Sequence, residues 1–516
     1  MKERSSIRYL ATIGMVTLLS GCAVKPDPIT EDEARARVME DQQRIYADQE
    51  LVFKPIGFHE AVARALKYNL DYRLKAMESA LSYGLFEVAG YDMLPSLVAS
   101  AGYSSRNNDS GGNSVNIDTG DISLFNSTSQ ERRHSTGSIA FTWNMLDFGM
   151  SYYGARQRSN EFLIAEERRQ RVIQNILQDV RASYWRAVGA QRLADRAQQL
   201  SIDARKALEL SRAAEAQGLV PAKDALTYQR MLLDAVALLT ARQQELDYAK
   251  RELAALLNIT PGTPFTVADE ALPELPPVPY NLSELEELAL IKRPELREED
   301  YRKRITADEA RRQLTSMLPG LRFDVGASYD SNKYLYNNDW TDAGVQLSMN
   351  LLRPLSLPAM KRMQSAREGN DEARRLSLSM AVITQVRLSV ERYKMSLQDL
   401  NVMDESNQVD QKLVALAEAE ATSRTGNELE LIRTQTRALN SEYQRYAAYA
   451  AAQAAYGRIY NSIGLSVLPD NISDMSVQEL AETLRTHLED VQSNTFPHWQ
   501  TSAAVPTFTA EQAASL

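Results

Sequence analysis

The sequence "GLRFDVGASYD" (residues 320–330) interrupts a chain whose pattern is otherwise mostly helical. Its apolar positions are Leu321, Phe323, Val325, Ala327 and Tyr329, and between them lie Arg322, Asp324, Gly326, Ser328 and Asp330. An alternation of period two predicts a β-strand with two chemically different faces. Eleven residues is long for a strand of a globular domain and close to the length that crosses a bilayer. The stretch therefore raises the question of which face meets water and which meets lipid.

Three more segments show the same alternation, so we predict four strands at about 95–105, 136–146, 320–330 and 342–352. Two polar loops, 107–134 and 332–342, join them in pairs. On one face the strands carry small polar residues, which suit water. On the other they carry apolar and aromatic residues, which suit lipid. The candidate lipid-facing side chains are Phe141, Trp143, Phe323, Val325 and Tyr329.

The two halves of the chain resemble each other. "MLPSL" (93–97) returns as "MLPGL" (317–321), and each copy precedes a predicted strand. The Pro-rich stretch "LPELPPVPYN" (272–281) reads as an extended linker between the halves. We therefore predict a tandem duplication, with repeats at 57–265 and 283–465 separated by a linker at 266–282. A segment at 22–56 precedes the repeats, and a polar tail at 466–516, whose end we expect to be poorly ordered, follows them.

Long helices account for most of the remaining sequence. Residues 150–217 contain no proline and two glycines, and residues 361–425 contain no proline and one glycine. Helices of about 60 residues would be about 90 Å long. Four leucines recur every seventh residue at Leu232, Leu239, Leu246 and Leu253. This spacing predicts a coiled-coil seam, with an ordinary amphipathic bundle helix as the alternative.

The N-terminus has the pattern of a secretory signal. A basic start and the short apolar core "YLATIGMVTLLS" (9–20) lead to Cys22, the one cysteine of the chain. The small residues before Cys22 resemble a bacterial lipobox, which predicts a signal peptide at 1–21 and a lipidated (palmitate-bearing) Cys22 as first mature residue. By resemblance to the enterobacterial sorting rule for lipoproteins, Ala23 directly after Cys22 favours the outer membrane over the inner one. The alternative is a chance cysteine in an ordinary signal peptide.

Composition argues against several function classes. The net charge of −10 makes nucleic acid an improbable partner. No run of 18 or more apolar residues follows the first thirty positions, so a helical inner-membrane protein is not predicted. Four scattered histidines and the absence of phosphate-loop or nucleophile motifs predict no catalytic residue, no metal, no cofactor and no enzyme.

Four strands cannot span a membrane alone, because every backbone polar group in lipid must be paired and an open sheet has two unpaired edges. Three chains that pool their strands would close a barrel of twelve. The alternative is a soluble α+β sheet that packs its apolar face on the helices. The helices look too long and thin to cover such a face, so the pattern favours the pooled barrel.

From about 55 to 465 the chain resembles the TolC-like outer-membrane factors, or outer membrane efflux proteins, of lipoprotein type. The resemblance rests on the lipobox, the duplication, and the "LP" pair that opens the first strand of each half. It rests also on "FTWNMLDFG" (141–149), similar to the family's strand-to-helix turn, and on two Gly-led helix starts, "AQGLVPAKDALTYQR" (216–230) and "SRTGNELELIRTQTR" (423–437).

This resemblance implies a mostly α fold with a β-barrel contribution. Tandem-duplicated helical hairpins would form a periplasmic α-barrel, and a homotrimer would pool its strands into a twelve-stranded barrel in outer-membrane lipid of a Gram-negative bacterium. It also implies a periplasmic adaptor (membrane fusion) protein and an inner-membrane transporter as partners. The function would be efflux or type I secretion, with drugs, proteins or polysaccharide as open choices of substrate. The alternative is a lipid-anchored periplasmic scaffold or adhesion protein without a pore.

Two departures from the family pattern bear on the site. "MNLLRPLSLPAMK" (349–361) replaces the usual strand-to-helix turn in the second half. Aligning the two Gly-led starts pairs Asp224 with Glu430, and Arg433 stands where an acidic residue is common in the family. We predict that Asp224, Glu430 and Arg433 line a periplasmic aperture. The alternative is that they are ordinary solvated residues of a helix start.

Overall fold

A computed structural model of the chain describes residues 26–47, 49–123, 125–277, 282–422, 428–465 and 475–492. The chain divides into two units, Met1–Leu51 and Val52–Leu516. In the first unit, helix α1 (Glu31–Ile45) begins with a capping box: the Glu33 amide donates to the Thr30 hydroxyl, and the Thr30 amide donates to the Glu33 carboxylate. The predicted signal peptide and Cys22 lie outside the described residues.

The second unit repeats one order of elements: a strand pair, a long helix and a shorter helix. The helices are α2 (Phe58–Tyr68), α3 (Leu70–Tyr91), α4 (Met145–Ala216), α5 (Ala222–Leu256), α6 (Leu282–Lys292), α7 (Pro294–Thr315), α8 (Leu357–Thr422), α9 (Glu428–Ile463) and α10 (Val477–Gln492). The strands are β1 (Ser96–Ser105), β2 (Gly111–Gly112), β3 (Ser127–Thr128), β4 (Arg133–Asn144), β5 (Gly320–Asp330) and β6 (Asp339–Ser348). Helix α4 has 72 residues, so it is about 108 Å long. No helix in the described ranges combines the length and hydrophobicity that crossing a membrane requires.

The four long strands form one antiparallel sheet in the order β1-β4-β5-β6. The central pair, β4 and β5, joins the two repeats. Helices are attached at one end of this sheet, and the two hairpin loops lie at the other. Strand β5 has the predicted bounds, whereas β4 begins three residues before the expected start and β6 spans 339–348 instead of 342–352.

The early end of β6 has a local cause. The Asn350 side chain accepts the amides of Leu352 and Arg353, which turns the chain into a 3₁₀ helix at Arg353–Ser356 before α8 begins. The apolar alternation of Met349 and Leu351 therefore does not continue the strand. In the first repeat β4 passes directly into α4, whose first turn is capped by the Asn144 side chain. The strand-to-helix connections of the two repeats differ, as the sequence predicts.

The long helices pack side by side in the order α8-α9-α4-α5. The predicted leucine seam of α5 is buried along its whole length. The facing residues of α4 repeat in steps of three and four: Ala190, Leu193, Ala197, Leu200, Ala204 and Ala207 are all buried in the same cluster. Heptad spacing on both helices favours the coiled coil over the ordinary bundle helix, and the alanines allow close approach of the two backbones.

The C-terminal segment corrects a sequence expectation. We expected a polar tail from 466 onward, but it contains α10, which packs on α2. Val477, Leu480, Leu484 and Leu488 are buried in the core around α2 and the middle of α4. Their spacing of three and four residues is helical, and the overall polarity of the segment concealed it. The expectation of disorder for 493–516 falls outside the described residues.

Candidate functional site

The sheet gathers the predicted lipid-facing residues onto one side. In the antiparallel register Phe141 lies opposite Val325, and Trp143 lies opposite Phe323. Directly paired residues point to the same face of an antiparallel sheet. Tyr329, an even number of residues from Phe323 along β5, shares that face. The pairing continues outward to Leu97 on β1 and to Val345 and Leu347 on β6, so one apolar face extends over all four strands.

None of the described helices covers this apolar face. Val325 is 54% exposed, Val345 67% and Leu97 70%. The Trp143 and Phe323 rings stack on each other with centroids 6.2 Å apart. An exposed apolar face of this extent marks contact with another protein or with a membrane. The soluble-sheet alternative required the helices to cover this face, and they do not.

The opposite face of the sheet is polar and hydrogen-bonded within itself. The Ser100 and Ser138 hydroxyls lie 2.7 Å apart across β1 and β4. The Thr142 hydroxyl donates to Asp324 at 2.9 Å, and the Arg322 guanidinium donates to the same carboxylate at 2.8 Å. Because charged and hydroxyl groups that are only partly buried need hydration as well as these partners, this face suits a water-filled space.

A polar cluster closes the loop end of the sheet, and we call it the loop junction: Glu131, His134, Asp330, Asn332 and Lys333. His134 and Asp330 lie 2.9 Å apart between β4 and β5, and Glu131 pairs with Lys333 at 3.1 Å. Asn332 is buried; its amide nitrogen donates to the Ser129 carbonyl at 2.8 Å, and its side-chain oxygen accepts the Glu131 amide at 3.1 Å. The junction thus ties the first hairpin loop to the second.

Sequence reasoning did not identify the loop junction. His134 and Asp330 are 196 residues apart, and a lone histidine in a polar loop gives no local signal. One hint was available. Asp330 ends a predicted strand and Asn332 lies two residues further on, where Asn and Asp side chains commonly bond to nearby backbone groups.

The predicted aperture residues lie near the helix starts that are remote from the sheet. Asp224 is exposed in the first turn of α5, whereas Glu430 and Arg433 are exposed near the start of α9. Glu430 and Arg433 form an ion pair at 3.6 Å within one helix. In the described part of the chain Asp224 forms no salt bridge with Arg433, so the structure brings together two of the three. The glycine that leads into α9, Gly426, lies outside the described residues.

In the described part of the chain, the row of long helices ends at α8 and α5 and the sheet ends at β1 and β6, without a further partner on the outer side. Strands β1 and β6 each have one strand neighbour in the sheet. On α8 a stripe of exposed apolar residues recurs every seven positions; we call it the α8 stripe, and it consists of Leu388, Met395, Val402, Val409 and Leu416. A heptad stripe without a partner helix in the same chain is typical of a helix that packs against another molecule.

Comparison with known proteins identifies this architecture. Residues 64–259 match the outer membrane efflux protein family. Over this segment the chain is similar to the outer membrane efflux proteins. No curated protein sequence matches this chain.

Solved channels extend the likeness beyond the matched segment. The outer-membrane channel OprN is 16% identical with a TM-score of 0.60, covering 79% of this chain and 89% of that one. The Campylobacter jejuni CmeC outer membrane channel is 10% identical with a TM-score of 0.62, over 90% and 97% of the two chains. The open state of the Neisseria gonorrhoeae MtrE channel is 13% identical with a TM-score of 0.58, over 81% and 94%. At these identities the likeness shows the fold.

The family match and the sheet geometry agree on the role of this chain. It is an outer-membrane channel that extends into the periplasm, with helical and strand parts like those of the solved channels. The family and the similar structures are channels and not enzymes. The scaffold without a pore is not favoured.

Proposed function

We propose that the protein works as the homotrimeric outer-membrane channel of a tripartite efflux or type I secretion system. In this proposal it receives substrate from an inner-membrane transporter through a periplasmic adaptor protein. One observation carries the proposal: a four-stranded sheet that is apolar on one face, polar on the other, and unpaired at both edges. A sheet of this kind satisfies its backbone in lipid only by closing with copies of itself.

The duplication predicts how the copies meet. Inside one chain, the second helix of the second repeat, α9, packs on the first helix of the first repeat, α4. The remaining free pair is α5, the second helix of the first repeat, and α8, the first helix of the second. Repeat symmetry therefore places α5 of one protomer against the α8 stripe of the next. By the same symmetry, β6 of one protomer pairs with β1 of the next, because β4 pairs with β5 within the chain.

In this assembly the two faces of the sheet have different solvents. Phe141, Trp143, Phe323, Val325 and Tyr329 face lipid, whereas Arg322, Asp324 and Ser328 face the lumen. Cys22, after removal of a signal peptide at 1–21, carries lipid that anchors the N-terminus to the outer membrane. The repeats at 57–265 and 283–465 act as the two halves of each protomer, connected by the linker at 266–282.

We further propose that Asp224, Glu430 and Arg433 line the periplasmic aperture. They lie near the starts of corresponding helices, so three copies would form two rings of charge. The Glu430–Arg433 pair neutralises part of the acidic charge within each protomer. The aperture would therefore be less selective for cations than two purely acidic rings.

Assembly and conductance test the proposal together. Purified protein should run as a heat-dissociable trimer and give discrete openings of low conductance in a planar bilayer. Val402→Asp on the α8 stripe should reduce the trimer fraction, whereas Asn401→Asp, which places the same charge on the neighbouring exposed position, should leave it unchanged. A monomer without conductance would instead support the lipid-anchored scaffold.

A further inference from the structure

The middle of α4 contains a buried cation without an anionic partner. Arg181 is 5% exposed. Its guanidinium lies 4.8 Å from the centre of the Phe58 ring and 5.8 Å from that of Tyr456. One of its nitrogens, Nη1, donates to Gln453 Oε1 at 3.1 Å. The two rings pack near the guanidinium, and the hydrogen bond to Gln453 uses one of its five N–H donors.

No carboxylate in the described part of the chain reaches Arg181. Other buried arginines have one: Arg169 of α4 pairs with Glu166, and Arg293, directly before α7, pairs with Glu295. The ionisable groups with the largest influence on Arg181 are the hydroxyls of Tyr449, Tyr456 and Tyr460, and burial lowers its pKa. An arginine stays protonated even so. A buried charge normally has an opposite charge beside it, and the described residues supply none to Arg181.

A small cavity adjoins the guanidinium. It has a volume of about 20 Å³ and is lined by Arg181 and by residues of α4, α9 and α10, among them Gln174, Gln178, Tyr456 and Leu488. One water needs about 10–15 Å³, so the space corresponds to one or two waters or to one ion of similar size.

The backbone at the cavity leaves room for these side chains. A Cβ at Gly457 would lie 2.8 Å from Arg181 Cδ and 3.1 Å from Gln178 Oε1. A larger residue at this position would therefore force these side chains to shift. Gln178 donates through Nε2 to the Ala454 carbonyl at 2.8 Å, which fixes the orientation of its amide. Its Oε1 is buried without a hydrogen-bond partner within the described structure. Within the described residues, an acceptor without a donor thus lies beside a cation without an anion.

We propose that this cavity binds one halide ion, chloride under physiological conditions, as the counter-ion of Arg181. The ion links α4 to α9 and α10 where the three helices meet. This inference does not depend on the channel function, since it concerns the interior of a single protomer.

Bromide diffraction gives the direct test and needs no variant. Crystals of the wild-type protein grown in sodium bromide should show an anomalous peak in the cavity beside the Arg181 guanidinium. Density for water alone, without an anomalous peak, would overturn the proposal. Crystals of Arg181→Met in bromide should lack the peak, and a peak that persists there would overturn the role of Arg181.

Thermal unfolding of the purified full-length protein gives an independent test. At equal ionic strength the wild-type Tm should be higher in sodium chloride than in sodium gluconate, and Arg181→Met should lose this difference. Arg186→Met is the control, since Arg186 lies one turn further along α4, is partly exposed and pairs with Glu252 at 3.0 Å. It should keep the chloride dependence. A wild-type Tm that does not distinguish the two salts would contradict the proposal.

Discussion

Trp143 and Phe323 stack on each other across the boundary between the two repeats, with their ring centroids 6.2 Å apart and their planes at 29°. They lie directly opposite each other on β4 and β5, which form the central pair of the sheet. Aromatic pairs across neighbouring strands stabilise a sheet beyond the area that they bury. This pair therefore joins the two repeats on the apolar face, the side of the sheet that we propose faces lipid.

The two faces of β5 should respond oppositely to the same new charge. Phe323→Arg places a guanidinium on the proposed lipid face, which costs about 2–4 kcal/mol near the bilayer midplane. Asp324→Arg places the same group on the polar face, beside Arg322, where water solvates it. We expect far less heat-resistant trimer in outer membranes for the first variant than for the second. Spin labels at the two positions offer a second measurement. Equal water accessibility at both would contradict the assignment of Phe323 to the lipid face and Asp324 to the lumen face.

The coiled coil of α4 and α5 should depend on its buried leucines. Leu239 is 1% exposed, whereas Leu233 on the same helix is 41% exposed. Leu239→Ala should lower the stability of each protomer by about 2–5 kcal/mol, because it leaves a cavity against α4. Leu233→Ala should lower it by well under half of that. Thermal unfolding followed by circular dichroism compares the stability of the two variants. Similar losses of stability would mean that the buried leucines contribute no more to packing than the exposed one.

Glu167 should make stability pH-dependent. Burial raises its pKa to about 7, although Arg297, whose Nε lies 3.1 Å away, opposes the shift. Between pH 4.5 and 7 the folded protein therefore keeps a proton that the unfolded chain has lost. The stabilisation from this proton is complete below pH 4.5 and disappears as the pH rises through 7, a change on the order of 3 kcal/mol per protomer.

Glu167→Gln tests this pH dependence. The variant should flatten the fall of Tm between pH 4.5 and 8 and be more stable than wild type above pH 7. Glu161→Gln is the matched control, because Glu161 lies on the same helix with its side chain 43% exposed. It should reproduce the wild-type profile. A Glu167→Gln profile parallel to the wild type would show that another group is responsible.

The loop junction should control the mobility of the loop end of the sheet. Asn332→Ala removes the hydrogen bonds to the Ser129 carbonyl and the Glu131 amide. Because those backbone groups would be left unsatisfied, the cost is about 1–3 kcal/mol and falls on the junction alone. We expect faster proteolysis of the loop at 107–134 in intact cells and noisier single-channel currents. Tyr336→Ala, at a fully exposed position of the second loop, should change neither.

Much of the architecture is local and could be predicted from the sequence. The alternation in 320–330 defines the two faces of β5, because side-chain period in a strand depends only on neighbouring residues. The heptad of Leu232 to Leu253 defines the buried side of α5 for the same reason. The absence of proline over 150–217 predicts the length of α4, and the repeated "LP" motif predicts the duplication. The spacing of Val477, Leu480 and Leu484 carried an equally local signal for α10, which overall composition concealed.

Only the tertiary structure decided which elements meet. The order β1-β4-β5-β6 places Trp143 against Phe323 and His134 against Asp330, pairs that are separated by 180 and 196 residues. Nothing near Arg181 in the sequence shows that no described carboxylate reaches it, since its neighbours come from α2 and α9. Periodicity is a property of consecutive residues, whereas pairing, burial of charge and unpaired edges depend on the path of the whole chain. The sequence by itself determined the faces of each element, and the fold decided what each face meets.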